Sequence, residues 1–461
     1  MNNLTVGLFV GLALCSCEEA KKKTTQPNFI VILSDDQRQD AAGFDGNPVI
    51  QTPMLDKFAS RGVRFTNANT VFSLCSPSRA ALLTGRYGSC NGVLELGSDL
   101  NSSEKTVARY LHDQGYLTGL SGKWHVGRNP SEAGFDYSVW FEGNGTYYNR
   151  EIHDQGKLVH PDIHCDQYCV SRSVEFLQKA LKERKPFFLF HNTQLPHMDG
   201  KMIWNARKET KTKYLVTDMP LAGNLKDDLK DKPEYLKTVR NRLQAKEYGY
   251  PDPLAVQNHT LDYYSVITEM DSFLGPLFHA VEEMGLLENT WVIFMSDNGW
   301  MLGDHGMTSK VLPYRPSTHV PAFILGPGVK PSKNDELILN IDLLPTILEL
   351  AGIKADSGIH GKSLLPLLQG NAHGWRKEFI YEGLGSYGGA KPNLTVVSND
   401  YRYIETYQDN LLNEIIFREL YDQKNDPDEM HNLVSDHNMQ MLIADCQKKI
   451  AIHKKTILSA R

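Results

Sequence analysis

Four runs in this chain are apolar from end to end, and they constrain its fold more than any other feature: Phe29 to Leu33, Pro186 to Phe190, Trp291 to Met295 and Ala322 to Leu325. A strand with one wet face alternates apolar and polar side chains. A short run without polar members and with β-branched residues belongs instead to a strand buried on both faces. Between the runs lie stretches with helical period, Ser103 to Gln114, Val174 to Leu181 and Thr260 to Met284. That alternation predicts an α/β protein, an α/β/α sandwich around a large, mostly parallel mixed sheet. A chain of 461 residues is ample for such a core.

Two stretches depart from the alternation. Lys201 to Lys246 carries many charges and few apolar residues, which reads as an excursion over the surface near a ligand mouth. Past Gly352 the texture becomes glycine-rich, with strand-like runs at Glu378 to Glu382, Thr395 to Ser398 and Tyr401 to Tyr407, then a helical stretch from about Met439 to His453. This predicts a smaller subdomain of antiparallel sheet plus helix. The division expected is a leader over 1–17, a tether over 18–27, a main domain over 28–370 and a C-terminal subdomain over 371–461.

Leu4 to Leu14 is apolar but too short to cross ~30 Å of hydrocarbon, so it reads as the core of a signal peptide. Leu14-Cys15-Ser16-Cys17 is similar to a bacterial lipoprotein cleavage box with Cys17 as the lipid anchor. Ordinary secretion is the alternative. Both export the chain, to the periplasm or to an anchor on the outer membrane. A formal net charge of -6 argues against a nucleic-acid surface, so anion selectivity must come from a local basic cluster. In an oxidising compartment Cys165 and Cys169 could form a disulfide; zinc binding is the weaker reading, because no second cysteine pair accompanies them.

A lone cysteine usually packs as a small core hydrophobe. Cys75 is set apart by Pro77, Arg79, Thr84 and Gly85 in Cys75-Ser76-Pro77-Ser78-Arg79-Ala80-Ala81-Leu82-Leu83-Thr84-Gly85-Arg86. Pro77 suits the first turn of a helix that Ala80 to Leu83 continue, which places Cys75 at a positive helix end with a guanidinium one turn on. Asp35 and Asp36 follow the first buried strand at its carboxyl end, where open α/β sheets bind ligands, and Asp297-Asn298-Gly299 follow Trp291 to Met295 in the same way. Each motif alone reads equally as a helix cap or a turn. Together, three carboxylates and an amide oxygen form a hard cage suited to Ca²⁺, less comfortably to Mg²⁺.

The run from Cys75 to Arg86 resembles the signature of the type I sulfatases. The likeness extends from about Asn28 to Leu433, through Ser121-Gly122-Lys123-Trp124-His125-Val126-Gly127, Gln194-Leu195-Pro196-His197, Gly303-Asp304-His305-Gly306-Met307-Thr308-Ser309-Lys310 and Glu419-Leu420-Tyr421-Asp422. The resemblance implies that a formylglycine-generating or anaerobic sulfatase-maturating enzyme oxidises Cys75 to formylglycine, whose hydrate attacks a sulfate ester. It implies one Ca²⁺ on Asp35, Asp36, Asp297, Asn298 and modified Cys75, with Arg79, Lys123 and Lys310 on the sulfuryl oxygens. His197 would protonate the leaving alcohol and His125 would assist sulfate release. Substrate contacts would come from Lys123, His197, His305 and Lys310, and the implied substrate is a sulfated carbohydrate.

Two departures stand out: Asp199 occupies a place where many relatives have proline, and Tyr314-Arg315-Pro316-Ser317-Thr318-His319-Val320-Pro321 differs from the commoner Tyr-Glu-x-Ser-x-Arg-Val-Pro. His191 competes with His197 from the end of the same strand, and Asp304 with His305 reads either as a pocket wall or as a glycine-bounded turn. Trp140, Tyr147, Tyr148 and Trp300 are candidates for sugar contact, though packing explains each as well. The rival readings are a phosphate or phosphonate monoester hydrolase of the alkaline-phosphatase-like superfamily, and a catalytically inactive glycan-binding lipoprotein.

Overall fold

The computed structural model describes residues 26–458. The leader, including Cys15 and Cys17, lies outside the described residues. Among those described, no helix is long and apolar enough to cross a membrane.

All four apolar runs form strands. The sheet is built on β1 (Asn28–Ser34), β2 (Val63–Asn69), β3 (Leu117–Lys123), β4 (Phe187–Asn192), β5 (Thr290–Ser296) and β6 (His319–Leu325). They lie in the order β2-β6-β5-β1-β4-β3 within an eleven-stranded sheet, which continues past β3 through Tyr137–Phe141, Ile152–Asp154 and Lys157–Val159. β5, β1, β4 and β3 are mutually parallel, whereas β6 runs antiparallel to both β5 and β2. Side-chain alternation along β1 sends Ile30 and Ile32 into one core and Phe29, Val31 and Leu33 into another. Both faces are therefore dry, as the unbroken apolar runs require.

Helices cover each face. α1 (Cys75–Thr84) packs on the second side, while α2 (Cys165–Glu183) and α3 (Pro253–Glu283) cover the first. The helix expected over Ser103 to Gln114 is confined to Val107–His112, because the Thr106 hydroxyl accepts from the Arg109 N–H and caps it there. The charged excursion is less superficial than its composition suggests: Trp204, Leu229 and Leu236 are buried, and the Lys232 ammonium sits between the rings of Tyr314 and Tyr421 at 4.5 and 4.3 Å.

The predicted antiparallel sheet is present as Glu378–Gly383, Asn393–Ser398, Tyr401–Tyr407 and one further strand, Ile415–Asp422. α4 (Gln440–Leu458) packs on it through Ile443, Cys446 and Ile450. Cys165 and Cys169 are free buried thiols one turn apart on α2, so the disulfide is not formed. Neighbours on one helix face project side by side and cannot meet S to S without unwinding a turn.

The parallel register brings the functional segments to one edge. Leu33 pairs with Asn192, Ser34 with Ser296, and Gly122 with Asn192, so the residues that follow these strands emerge together. Gly122 is essential to that convergence: its φ is +109° and a Cβ there would lie 1.7 Å from the Asn192 carbonyl oxygen. Gly46 has a similar φ of +99° with open space around it. Gly46→Ala should cost only the ~1–2 kcal/mol of a left-handed residue. Gly122→Ala adds overlap with fixed backbone and should cost at least ~3 kcal/mol. Thermal denaturation of both variants checks this; equal losses would refute the strand-contact argument.

Candidate active site

Cys75 is the first residue of α1 and is almost completely buried. Its Sγ lies 3.4 Å from Asp35 Oδ1, 3.6 Å from Lys123 Nζ and 2.7 Å from Lys310 Nζ. Burial and the adjacent Asp35 carboxylate push the thiol up to about 12, against the pull of Lys123 and Lys310. This upward shift is the reverse of what activates the lowered-pKa cysteines that act as thiolate nucleophiles.

Around it lie three buried carboxylates, and each has a cationic partner. Asp35 bonds Lys123 and accepts from Arg79 Nη2 at 3.2 Å; Asp36 bonds Lys310; Asp297 accepts from Arg79 Nε at 2.9 Å. Burial pushes Asp35 up, but Lys123 and Arg79 overcome it and hold the group well below the usual carboxylate range. Asp36 is pushed up to about 7 by burial, assisted by repulsion from Asp35 and Asp297 and opposed by Lys310. Asp297 is raised by burial and then by Asp35. Three acids in one dry pocket compete for positive charge, and the fixed cations do not satisfy them equally.

The donor set fits a hard divalent cation. Oxygen and sulfur atoms of Asp35, Cys75 and Asp297 lie within 4.8 Å of one another, as do ligand atoms of Asp35, Asp36 and His197. Asn298 Nδ2 donates to Asp36 Oδ1 at 2.6 Å, which leaves its Oδ1 buried without a hydrogen-bond partner, and Asp36 Oδ2 has none either. Buried orphan oxygens beside carboxylates are what a Ca²⁺ cage supplies. A second buried group, His164, Cys165 and Asp166, is of another kind, because Nδ1 of its histidine and both carboxylate oxygens already accept backbone N–H groups.

Arg79 faces the acids: its Nε, Nη1 and Nη2 donate to Asp297, the Lys123 carbonyl and Asp35, so the guanidinium braces the carboxylates. Lys123 Nζ also donates to Asn144 Oδ1 at 2.8 Å. Asn144 is a site residue that the motif reading missed; its one sequence signal is its position between Gly143 and Gly145. His125 does not simply alternate with Lys123 along a strand: β3 ends at Lys123, and His125 turns out of it with φ +57°. Burial, then Lys123, drives its pKa far down, and its Nδ1 has no hydrogen-bond partner.

His197 stands on the site. Its Nδ1–H donates to the Met198 carbonyl at 2.7 Å, which leaves Nε2 facing Asp36 Oδ2 at 3.5 Å. Burial and then Lys123 hold the imidazole well below its ordinary value. Its rival His191 is directed elsewhere, with Nδ1 on Ser173 Oγ at 2.9 Å. His305 also stands apart: its Nδ1–H donates to Asp227 at 2.7 Å, its Nε2 accepts from Asn224, and its ring packs on Tyr314. Both nitrogens are engaged, and Asp304 is likewise taken by Arg38. Among the aromatic candidates Tyr147 donates from Oη to the His197 carbonyl at 2.7 Å and the Trp300 ring centroid lies 6.3 Å from that of His197; Trp140 stacks on His153 in the edge strands.

The chain as a whole is similar to known proteins. The sulfatase family model matches residues 27–353, and the model for the C-terminal part of N-sulphoglucosamine sulphohydrolase matches 303–456. The chain belongs to the sulfatase family, and it is a sulfuric ester hydrolase. It is 28% identical to an N-acetylglucosamine-6-O-sulfatase of Bacteroides thetaiotaomicron, over 92% of this chain and 85% of that protein. Arylsulfatase A of Bos taurus is 32% identical over 82% of this chain and 73% of its own. A protein structure solved in complex with its substrate D-glucosamine-2-N,6-O-disulfate superposes with a TM-score of 0.85 at 25% identity, covering 94% of this chain and 99% of that one.

Because Arg79 neutralises two buried acids at once, Arg79→Met should destabilise the protein by ~3–5 kcal/mol in chemical denaturation, the cost of leaving buried charge uncompensated. A loss below ~1 kcal/mol would place the guanidinium outside the charge balance of the site.

Proposed function

We propose that this sulfatase removes sulfate from a sulfated carbohydrate, with Cys75 converted to formylglycine and one Ca²⁺ bound beside it. The observation that carries this reading is the juxtaposition of a buried Cys75 with three carboxylates, two lysines and Asn298 at the start of α1. The carbohydrate class is supported by the relatives, whose names and bound substrate are those of amino-sugar sulfatases.

The formylglycine supplies a hydrated aldehyde as nucleophile, a chemistry that a thiol held near pKa 12 lacks. Asp35, Asp36, Asp297 and Asn298 Oδ1 would hold the Ca²⁺, which supplies charge neutralisation and polarisation at a sulfate oxygen. Lys123 and Lys310 approach the position-75 side chain from two directions, so their ammonium groups hold the sulfuryl group in line. Arg79 acts through Asp35 and Asp297. His197 presents Nε2 to the leaving oxygen, with Nδ1–H fixed by its own backbone. A bound sulfate ester adds negative charge beside this ring, which favours the protonated form that a general acid needs. In this reading His125, whose buried Nδ1 has no hydrogen-bond partner, takes a proton in sulfate release. Export of the protein belongs to the same reading, since the leader resembles a lipoprotein signal.

Sulfate release from glycosaminoglycan, mucin and algal oligosaccharides tests the substrate class, and no release from any of them would overturn it. Peptide mass spectrometry should find aldehyde or its hydrate at position 75. Cys75→Ala should have no turnover, and chelation should abolish turnover reversibly on Ca²⁺ return; full activity in verified metal-free protein would remove the metal from the reading. His197→Ala should lose ~10²–10⁴ in kcat/KM on a sugar sulfate. On an aryl sulfate with a good leaving group it should lose far less. Lys310→Ala should depress both substrates alike.

A further inference from the structure

The segment that carries His197 is held at almost every backbone polar group, and two of its anchors come from a residue with no part in the chemistry above. Asp166, buried at the start of α2, accepts the Gln194 N–H on Oδ1 at 2.7 Å and the Leu195 N–H on Oδ2 at 3.0 Å. The other side of the same segment is tied to the site: the Leu195 carbonyl accepts from the Asp35 N–H at 3.3 Å, and the His197 carbonyl accepts from Tyr147 Oη at 2.7 Å. Asp166 is itself set by His164, whose Nδ1 accepts the Asp166 N–H at 3.1 Å and caps α2.

The same anchor reaches a second wall. Gln194 Nε2 donates to the Gly145 carbonyl at 2.7 Å, and Cys165 Sγ lies 3.7 Å from Gln194 Oε1. Gly145 adjoins Asn144, which holds Lys123 Nζ. One path of hydrogen bonds therefore runs from Asp166 through Gln194 to both the His197 segment and the Asn144 loop. In a site where a misplacement of ~1 Å can cost ~10²-fold in rate, such a path matters to catalysis as well as to folding.

We infer that Asp166 and Gln194 form a positioning brace that sets His197 against the leaving group and Asn144 against Lys123. Neither residue touches the substrate. The inference rests on the acid role given to His197, and the two can fail separately. Asp166→Asn keeps the shape, but its Nδ2 turns a donor toward an N–H donor, so one of the two anchors is lost. Its kcat on a sugar sulfate should fall ~10–100-fold with a smaller loss on an activated aryl sulfate. In a His197→Ala background the same change should cost no more on the sugar sulfate than it does on the aryl sulfate, because only the Asn144 arm is left for it to disturb.

Full additivity of the two changes would overturn the brace while leaving His197 as the acid. Equal losses of His197→Ala on both substrates would instead overturn the acid role. Gln194→Ala retains both carboxylate anchors and severs only the Asn144 arm, so it serves if Asp166→Asn fails to fold. It should lower kcat/KM on aryl and sugar sulfates alike, by about tenfold. Wild-type rates on both would overturn the inference.

Discussion

Everything at the working end of this protein depends on the burial of Asp35, Asp36 and Asp297 in one dry pocket. Isolated carboxylates do not stay ionised without water, so each must be matched by fixed positive charge or a metal. Arg79 answers two of them, Asp35 and Asp297, and ties them to the Lys123 carbonyl; Lys123 adds a second cation on Asp35, and Lys310 answers Asp36. The cations come from α1, the end of β3 and the stretch after β5, and the charge balance exists only when those elements meet. The acids and bases thereby couple the assembly of the sheet to the assembly of the site.

The sheet makes this meeting possible because its central strands are parallel and in register at their carboxyl ends. Leu33 lies between Asn192 and Met295, with Ser34 beside Ser296, and the chain leaves each strand into a different part of the pocket. Buried apolar contact on both faces holds the strands; the polar ends are then brought together without further ordering of the backbone. α1 enters from the far edge, after β2, with Cys75 as its first residue, so the reactive position faces the strand ends rather than the sheet surface.

The fold was largely legible in residues because its signals are local. Continuous apolar runs marked the buried strands, and a 3.6-residue period marked α2 and α3. The eight-residue strand Ile415–Asp422 was missed although Ile415, Ile416 and Phe417 favour a strand, because Arg418 and Glu419 interrupt the run and it lacks the unbroken apolar signal of the buried strands. Lys201 to Lys246 was misjudged because composition cannot show that Lys232 is buried between two rings. Within the site, residues that carry chemistry in short ordered motifs were found, whereas Asn144, Asp166 and Gln194 were not. Each of these acts through a hydrogen bond to a distant segment.

By itself the sequence determined which residue types stand at strand ends and at the start of α1, since these depend on periodicity and neighbours. It also supported the family, through motifs arranged in one chain order. Tertiary structure alone decided what the side chains face. It turned Arg79 toward the carboxylates, drew His305 onto Asp227, and left Cys165 and Cys169 as thiols along one helix face. The reason is physical: hydrogen bonds and ion pairs are short-ranged and directional, so their partners depend on where separate segments of chain arrive in space.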